Sequence, residues 1–254
     1  RESIVLTVKQ AIVEDVGSGD ITSQLIPADS QSDAELITRE PIVLSGRAWF
    51  DEAFAQIDTN CLIDWKAKDG DSLKSDTILC CINGNTRSIL TAERVAMNFL
   101  QLLSGIATTA KRYADLTYNS NTSVLDTRKT IPGLRRAQKY AVACGGCSNH
   151  RFGLYDALLI KENHILAAGS ISKAIVASQK KYPDKVIEIE VENLDELQQA
   201  IQAGAARILL DNFDIDQISK AVSITQGKAE LEASGNITLE NISAIAATGV
   251  NYIS

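Results

Sequence analysis

Apolar residues near the start of the chain first recur at helical spacing and then alternate as they do in strands. Ile4, Val5, Val8 and Ile12 would share one face of a helix, which a polar, glycine-containing run ends. The runs that follow have the alternation typical of short strands. They predict strands at 32–40, 63–67 and 75–83, a turn into a further strand at 41–46, a helix at 48–57, and turns at 68–71 and 83–85. We therefore expect an antiparallel sheet with helices in this part of the chain.

The longest helical pattern runs from Thr91 to Leu116. Thr91 is expected to be the N-cap, and an apolar stripe along the helix would face a core. Ser104-Gly105 predicts a break or a point of close packing. Arg94 would lie in the first turn, where an exposed arginine paired with a nearby carboxylate explains it as well as a function does.

Five apolar runs in the second half of the chain each carry or lead into charged or polar groups. They are Val124-Leu125 before Asp126 to Lys129, Ala157 to Ile160 before Lys161 to His164, Val186 to Val191 with its own glutamates, Ile208 to Leu210 before Asp211-Asn212, and Glu230 to Ala233 before Ser234 to Asn236. Helical patterns alternate with them at 134–144, 171–181, 194–203, 215–225 and 239–248. This alternation predicts a parallel sheet with helical crossovers.

Both an open doubly wound sheet and a closed barrel fit this alternation. A barrel is favoured because a polar functional group accompanies each strand, and barrels gather such groups at their carboxyl-terminal face. A dinucleotide-binding sheet would also need a Gly-x-Gly-x-x-Gly turn after a strand, which the chain lacks. The final run, 248–254, reads as the start of one more strand, so we expect the C-terminal end to be truncated.

Three cationic groups within residues 124–166 predict an anion-binding site. They are Arg128-Lys129, His150-Arg151 and Lys161, and they lie at or near the ends of apolar runs, where a solvated surface explains them poorly. Arginine offers planar, bidentate contacts to anions. Of the two histidines, His150 is expected to act in the site and His164 to be structural.

Carboxylates replace cations in the later strands. Period-two spacing places Glu188, Glu190 and Glu192 on one face of a strand. Three carboxylates that face the interior repel one another unless a metal ion or cations neutralise them. At least one of them is therefore expected to bind a metal ion or a sugar hydroxyl.

Composition and charge narrow the class of protein. The chain has 254 residues, 45% of them hydrophobic, enough for one large domain or two smaller ones. Its net charge of −7 argues against a general binder of nucleic acid or anionic membranes. No apolar run approaches the roughly 20 residues that cross a bilayer. The five cysteines predict reduced thiols in a cytoplasmic protein.

Cys144 and Cys147 form a CxxC pair that, with His150, could supply three zinc ligands. A structural zinc site has four ligands, and the chain has no second CxxC to supply the fourth. Packing of small residues where a helix meets a loop is the better interpretation.

Several motifs together resemble the quinolinate phosphoribosyltransferase family, a group of type II phosphoribosyltransferases. They are EDVGSGDITS at 14–23, LTAERVAMNFLQLLSGIAT at 90–108, DTRKT-x-PGLR at 126–135, KYAV-x-x-GG-x-x-NHR-x-GL-x-D at 139–156, IKENH at 160–164, EIEVEN at 188–193, LLDN at 209–212 and EASGNI at 232–237. They cover nearly the whole chain in the order of the family. The resemblance implies an N-terminal open-faced α/β sandwich (1–105) and an incomplete, about seven-stranded, TIM-like α/β barrel (106–254).

The resemblance also implies an enzyme of NAD biosynthesis. Such a transferase joins quinolinate to the phosphoribosyl group of phosphoribosyl pyrophosphate (PRPP), with magnesium, and releases carbon dioxide. Arg128, His150, Arg151 and Lys161 would bind the two carboxylates of quinolinate, and Thr127 would also bind substrate. Arg94 would come from the other subunit of a homodimer, which could assemble further into a hexamer. Lys129, Lys161, Glu190 and Asp211 are the implied catalytic residues. Glu190 and Asp211 would hold magnesium, directly or indirectly, and Ser234, Gly235 and Asn236 would bind the 5′-phosphate.

Three alternatives remain at this point. A nicotinate-type or molybdenum-transport-associated relative with the same fold would lack the contacts to the second carboxylate. A Schiff-base aldolase barrel would use Lys129 or Lys161 as its amine. Residues 70–85 resemble the turns of lipoyl and biotinyl carrier domains, but the lysine motif that carries the prosthetic group is absent.

Overall fold

The computed structural model describes residues 1–254, which form nine helices and eleven strands. The helices are α1 (Glu2–Val16), α2 (Arg47–Ile57), α3 (Thr86–Thr117), α4 (Arg135–Cys144), α5 (Glu162–Ala168), α6 (Ile171–Lys181), α7 (Leu194–Gln202), α8 (Ile215–Thr225) and α9 (Ile242–Ala246). The strands are β1 (Gln31–Ile37), β2 (Ile42–Val43), β3 (Leu62–Trp65), β4 (Ser72–Leu73), β5 (Ile78–Asn85), β6 (Ser123–Val124), β7 (Leu158–Ile160), β8 (Ile187–Val191), β9 (Arg207–Asp211), β10 (Glu230–Ser234) and β11 (Tyr252–Ile253). The chain divides into two compact units, Arg1–Lys111 with Thr130–Gly146, and Arg112–Lys129 with Cys147–Ser254.

The first unit is built on a three-stranded antiparallel sheet in the order β1-β5-β3. Its core contains an aromatic cluster in which the Phe50 ring lies 5.1 Å from Phe54 and 5.2 Å from Trp65 between centroids. Helix α2 confirms the predicted helix at 48–57, and the sheet confirms the predicted antiparallel strands. The predicted turn at 68–71 does not join two paired strands directly, because β4 follows it and pairs with β2.

Helix α3 begins earlier than its apolar stripe predicts. The predicted turn at 83–85 is wrong, because these residues complete β5 and the helix starts at the next residue. The Asn85 side chain accepts the main-chain N–H of Arg87 at 3.0 Å and so caps the helix. Thr91 is therefore not the N-cap, and its hydroxyl instead donates to Asp20 Oδ2 at 2.9 Å. Arg94 consequently lies beyond the first turn, on the exposed side of the helix.

The Ser104-Gly105 pair marks close packing and not a break. Helix α3 runs through it without interruption. Ser104 Oγ accepts the N–H of Ser45 at 3.0 Å and donates to its carbonyl oxygen at 3.1 Å, within the buried core. A small hydroxyl side chain thus lets the main chain before α2 approach the helix.

The second unit is a parallel α/β assembly that confirms the predicted partial barrel. Six strands pair in the order β6-β11-β10-β9-β8-β7, against the expectation of about seven. Ile189, Ile208, Leu210 and Ile253 are fully buried and form its centre. Helices α6, α7 and α8 lie where the spacing predicts, whereas α9 is shorter than predicted and α5 lies outside the predicted helices.

Helix α4 packs in the first unit, although its place in the sequence suggests a barrel helix. Ala137 and Ala141 are buried in the core of that unit. For this reason the compact units do not divide the chain simply at residue 105. Residues 130–146 lie between two parts of the second unit in sequence, but they belong to the first unit.

We expect Gly145→Ala to destabilise the first unit. Gly145 has an ordinary φ of −78°, but a Cβ there would lie 2.3 Å from the carbonyl oxygen of Ala107 and 2.6 Å from Ala110 Cβ. Overpacking of this kind lowers the free energy of unfolding by about 1–3 kcal/mol. Gly105→Ala is the matched control, because a Cβ there meets nothing within 4 Å and alanine favours the helix. Chemical denaturation measures both, and equal stability of the two variants would contradict the packing argument.

Candidate active site

Functional side chains gather at the carboxyl ends of the parallel strands of the second unit. Asp211 and Ser234 are the last residues of β9 and β10, and Lys161 directly follows β7. Parallel strands bring these ends to one face of a barrel. The strand-end positions that the sequence predicts are therefore brought to one face.

One cavity, of about 430 Å³, is lined by three of the predicted cations. Arg128, Arg151 and Lys161 line it, together with apolar residues along β7. Partial burial lowers the pKa of Arg151, and the nearby positive charge of Arg128 lowers it further. Two guanidinium groups held close enough to repel each other are suited to an anion with more than one charge.

Lys161 is both the N-cap of α5 and part of an ion pair. Its main-chain N–H donates to His164 Nδ1 at 3.0 Å, so His164 has the capping role of a structural histidine. Its ammonium group lies 2.6 Å from Glu190 Oε2. The pair links the end of β7 to β8 and leaves the lysine half exposed.

A second cavity, of about 520 Å³, combines a cation with oxygen and amide groups. Thr127, Lys129 and Asp211 line it, together with the segment from Ser234 to Asn236. The main chain is left-handed at Gly235 (φ 103°) and Asn236 (φ 54°). Glycine is required at 235, because a Cβ would lie 2.2 Å from Asn212 Oδ1. Such a backbone forms concave anion sites from its N–H groups.

His150 lies against two buried carboxylates. Its Nε2 is 2.8 Å from Glu188 Oε2 and 3.4 Å from Glu232 Oε2. Its Nδ1 accepts the main-chain N–H of Arg151 at 2.7 Å, which places the proton of a neutral ring on Nε2. The hydrogen bond with Glu188 and the close contact with Glu232 raise the pKa of His150 to about 9. A second proton, on Nδ1, would break the hydrogen bond from the Arg151 N–H. The two carboxylates therefore favour the protonated ring, whereas the Arg151 N–H favours the neutral ring.

The two carboxylates respond differently to burial. Burial raises the pKa of Glu188. Burial is also the largest single influence on Glu232 and acts in the same direction, but the contacts with His150, Ser254 and Glu188 together outweigh it, and the pKa of Glu232 is lowered. The pair therefore favours one ionised carboxylate over two, as expected where two carboxylates share a buried site.

The face predicted for the three glutamates is borne out for two of them. Glu188 and Glu190 each meet a cation or an imidazole, whereas Glu192 lies beyond the end of β8 and is exposed. Sequence reasoning gave no role to Glu232. Alternation along β10 places it on the same face as Ser234, and this was the signal that could have identified it.

The family comparison supports the motif-based assignment. The family description "Quinolinate phosphoribosyl transferase, C-terminal domain" matches residues 106–254, and the corresponding N-terminal domain matches residues 20–104. Together the two matches cover most of the chain.

Individual relatives agree with this match. A Bacillus subtilis protein named "Probable nicotinate-nucleotide pyrophosphorylase [carboxylating]" is 41% identical over 95% of this chain and 84% of its own length. A tobacco quinolinate phosphoribosyltransferase [decarboxylating] is 38% identical over 97% of this chain and 76% of its own length. The structure of the nicotinate-nucleotide pyrophosphorylase from Francisella tularensis superposes with a TM-score of 0.95 at 48% identity, over 99% of this chain and 90% of that one.

The CxxC pair is poorly suited to zinc. Burial raises the pKa of the Cys147 thiol to about 11, whereas zinc binds the thiolate. Cys147 is buried and Cys144 is half-buried at the end of α4, and neither is in a disulfide. These features favour the packing interpretation.

We expect Cys147 and Cys80 to react slowly with Ellman's reagent at pH 8 in the native protein. Burial raises the pKa of Cys147 to about 11 and that of Cys80 to about 12. About one Cys147 side chain in a thousand would then be a thiolate at pH 8. The rate of its reaction with the reagent should therefore rise with pH. Denaturant provides the control, since all five thiols should then react. Release of stoichiometric zinc on modification would contradict the packing interpretation.

Proposed function

The chain belongs to the quinolinate phosphoribosyltransferase family, and we propose that its two strand-end cavities bind the two substrates of that reaction. The enzyme transfers the phosphoribosyl group of PRPP to quinolinate. It gives nicotinate mononucleotide, pyrophosphate and carbon dioxide in the de novo biosynthesis of NAD.

The observation that carries the proposal is the different charge of the two strand-end cavities. Consecutive residues, Arg128 and Lys129, line different cavities. The first cavity is cationic and partly apolar, as a planar ring with two carboxylates requires. The second combines Lys129 with Asp211 and the left-handed turn at 235–236, as a phosphorylated sugar requires.

Quinolinate binds in the first cavity. Arg128, Arg151 and Lys161 neutralise its two adjacent carboxylates, and His150 belongs to the same half of the site, whereas Thr127 lines the second cavity. A substrate with a single carboxylate would leave these cations short of a partner. This disfavours a nicotinate-type enzyme, since unpaired groups in a substrate site discriminate strongly.

PRPP binds in the second cavity. The 5′-phosphate lies at Ser234, Gly235 and Asn236, and Lys129 faces the pyrophosphate. Glu190 and Asp211 fit magnesium, because that ion prefers oxygen ligands and is commonly bound through one or two carboxylates together with substrate phosphates. When bound there, it would neutralise charge on the leaving pyrophosphate.

The chemistry places each charge where it is needed. The ring nitrogen of quinolinate attacks C1 of the ribose as the bond from C1 to the pyrophosphate oxygen breaks, and pyrophosphate leaves with that electron pair. Glu190 and Asp211 stabilise the oxocarbenium-like charge that develops at C1. The C2–carboxylate bond then breaks, carbon dioxide leaves, and the electron pair that stays on C2 beside the cationic ring nitrogen takes up a proton from water. A Schiff-base role for Lys161 is disfavoured, because such chemistry needs a free amine and this lysine is ion-paired with Glu190.

The site would be completed by a second subunit of a homodimer, and hexamers are a further assembly that the family resemblance allows. Arg94 is exposed on α3, and near it lies an apolar surface that includes Ile21 (85% exposed) and Leu90 (43%). The hydrogen bond between Asp20 and Thr91 joins the chain segments that carry Ile21 and Leu90. Exposed apolar surface beside a charged group is typical of a protein interface.

We also propose that the enzyme acts in the cytoplasm. Its cysteines are not in disulfides, as is usual in a reducing compartment. No helix is both long enough and apolar enough to pass through a membrane.

Formation of nicotinate mononucleotide from quinolinate, PRPP and magnesium tests the substrate assignment. Carbon dioxide release should depend strictly on PRPP. Arg151→Ala should raise the quinolinate KM about tenfold or more, because it removes a charged hydrogen-bonding partner. Asp211→Asn should impair turnover and PRPP use instead. Equal use of nicotinate in place of quinolinate would refute the assignment.

Mixing two variants that are each impaired at low quinolinate concentration tests the shared site. Arg94→Ala and Arg151→Ala proteins, combined under conditions that allow subunit exchange, should regain part of the activity, because a hybrid dimer contains one site with both arginines. Lys9→Ala, an exposed change on α1, serves as the control partner for exchange. Confirmed exchange without recovery would argue against a contribution of Arg94 in trans.

A further inference from the structure

Two fully buried carboxylates inside the barrel have no part in the chemistry described above. Glu188 on β8 and Glu232 on β10 are each 1% exposed. Glu188 Oε1 and both carboxylate oxygens of Glu232 lack a hydrogen-bond partner, which is unusual for buried acids. Apolar residues of similar volume would often stabilise a core as well or better. Two such acids therefore call for a role beyond packing.

The carboxylates converge on one face of His150. Glu188 Oε2 is 2.8 Å from Nε2, and Glu232 Oε2 is 3.4 Å from the same atom. The imidazole reaches them from the segment between α4 and β7, so one side chain meets acids from two strands that are separated by β9. The ring therefore has its Nε2 side fixed by the barrel interior.

The other side of the ring is fixed to the main chain. Nδ1 accepts the N–H of Arg151 at 2.7 Å, and the N–H of His150 itself donates to Asp126 Oδ1 at 2.9 Å. Both ring nitrogens are thus engaged within the protein. The ring links the two carboxylates to the backbone from which the Arg151 guanidinium extends into the cationic cavity.

We propose that Glu188 and Glu232 are positioning residues, which hold His150 and, through its ring, the main chain at Arg151 in the orientation that binds quinolinate. The inference rests on the proposed function and deepens it: His150 serves the quinolinate half through Arg151 and not through a free ring nitrogen. The buried acids thus act at a distance from the substrate. Their charge also offsets part of the repulsion among the cations of that half.

A bound cation is the competing explanation of the cluster. The ligating atoms of His150, Glu188 and Glu232 lie within 4.8 Å of one another, as three metal ligands could. The hydrogen bond between Nε2 and Glu188 accounts for the same closeness without an ion. The two explanations differ in what a change of Glu232 does to Arg151, so they can be separated.

A double-mutant cycle between Glu232→Gln and Arg151→Ala tests the proposal. Glutamine keeps the size of the side chain and removes its charge. Glu232→Gln alone should raise the quinolinate KM about tenfold and leave the PRPP KM within about twofold, whereas in the Arg151→Ala background it should change neither by more than about twofold. Additive effects in the cycle would overturn the proposal. Glu230→Gln is the matched control, because it alters a half-exposed carboxylate on the same strand and should leave both KM values unchanged.

Two substitutions of His150 keep the proposal testable if the glutamate variants fold poorly. The amide oxygen of asparagine can take the place of Nδ1 and accept the Arg151 N–H, whereas the amide of glutamine reaches only the place of Nε2. His150→Asn should therefore bind quinolinate several-fold more tightly than His150→Gln. Equal binding by the two would indicate direct contact of the ring with substrate and would overturn the proposal.

Two measurements separate this proposal from the proposed function: the assay of nicotinate mononucleotide formation, and quinolinate binding measured by calorimetry without PRPP. A wild-type protein that makes no nicotinate mononucleotide would refute the function. A wild-type protein that makes it, but whose cycle in binding free energy is additive, would refute the positioning role alone. A divalent metal that copurifies in stoichiometric amount and is lost in Glu232→Gln would favour the cation and also overturn the proposal.

Discussion

Two carboxylates of strand β8 face the barrel interior of the second unit, and each meets a positive or protonated group from another segment of the chain. Glu190 pairs with Lys161 and Glu188 meets His150. The Glu188–His150 pair is buried, and removal of one partner of such a pair leaves the other charge uncompensated, which costs about 3–5 kcal/mol. The segments that carry Lys161 and His150 are therefore tied to β8 by these carboxylates. Because the pairs join different strands, the geometry of the site depends on the strand order.

In the proposed function one short segment serves two substrates. Arg128 and Lys129 are neighbours in sequence but line different cavities, so the loop after β6 would divide the dicarboxylate half of the site from the phosphoribosyl half. Burial and the charge of Arg128 make the guanidinium of Arg151 less stable in its charged form, as the lowered pKa shows. A dianionic ligand would relieve this repulsion, which favours such a ligand at this cavity.

Much of the fold, and the position of candidate site residues at the ends of parallel strands, could be predicted from the sequence, because spacing of apolar residues reports burial directly. What the sequence could not supply were contacts between distant segments. Residues 83–85 have the composition of a turn, yet the Asn85 side chain caps α3 and a close approach to Cys61 requires Gly84, so tertiary packing decides their conformation. Likewise, alternation placed Glu188 and Glu190 on one face, but nothing local indicated that their partners would be His150 and Lys161. Such pairings follow from the three-dimensional order of strands and loops.

The excursion of residues 130–146 into the first unit has a consequence for how the protein is made. During synthesis, the first 111 residues leave the ribosome without Ala137 and Ala141, which complete the core of that unit. Meanwhile β6, the first strand of the second unit, has already been made. Neither unit can therefore mature as an independent N-terminal or C-terminal module, although domains often fold one after another in this way. The two folding processes must be interleaved, and a nascent chain that pauses before residue 146 would expose an unfinished apolar core to chaperones.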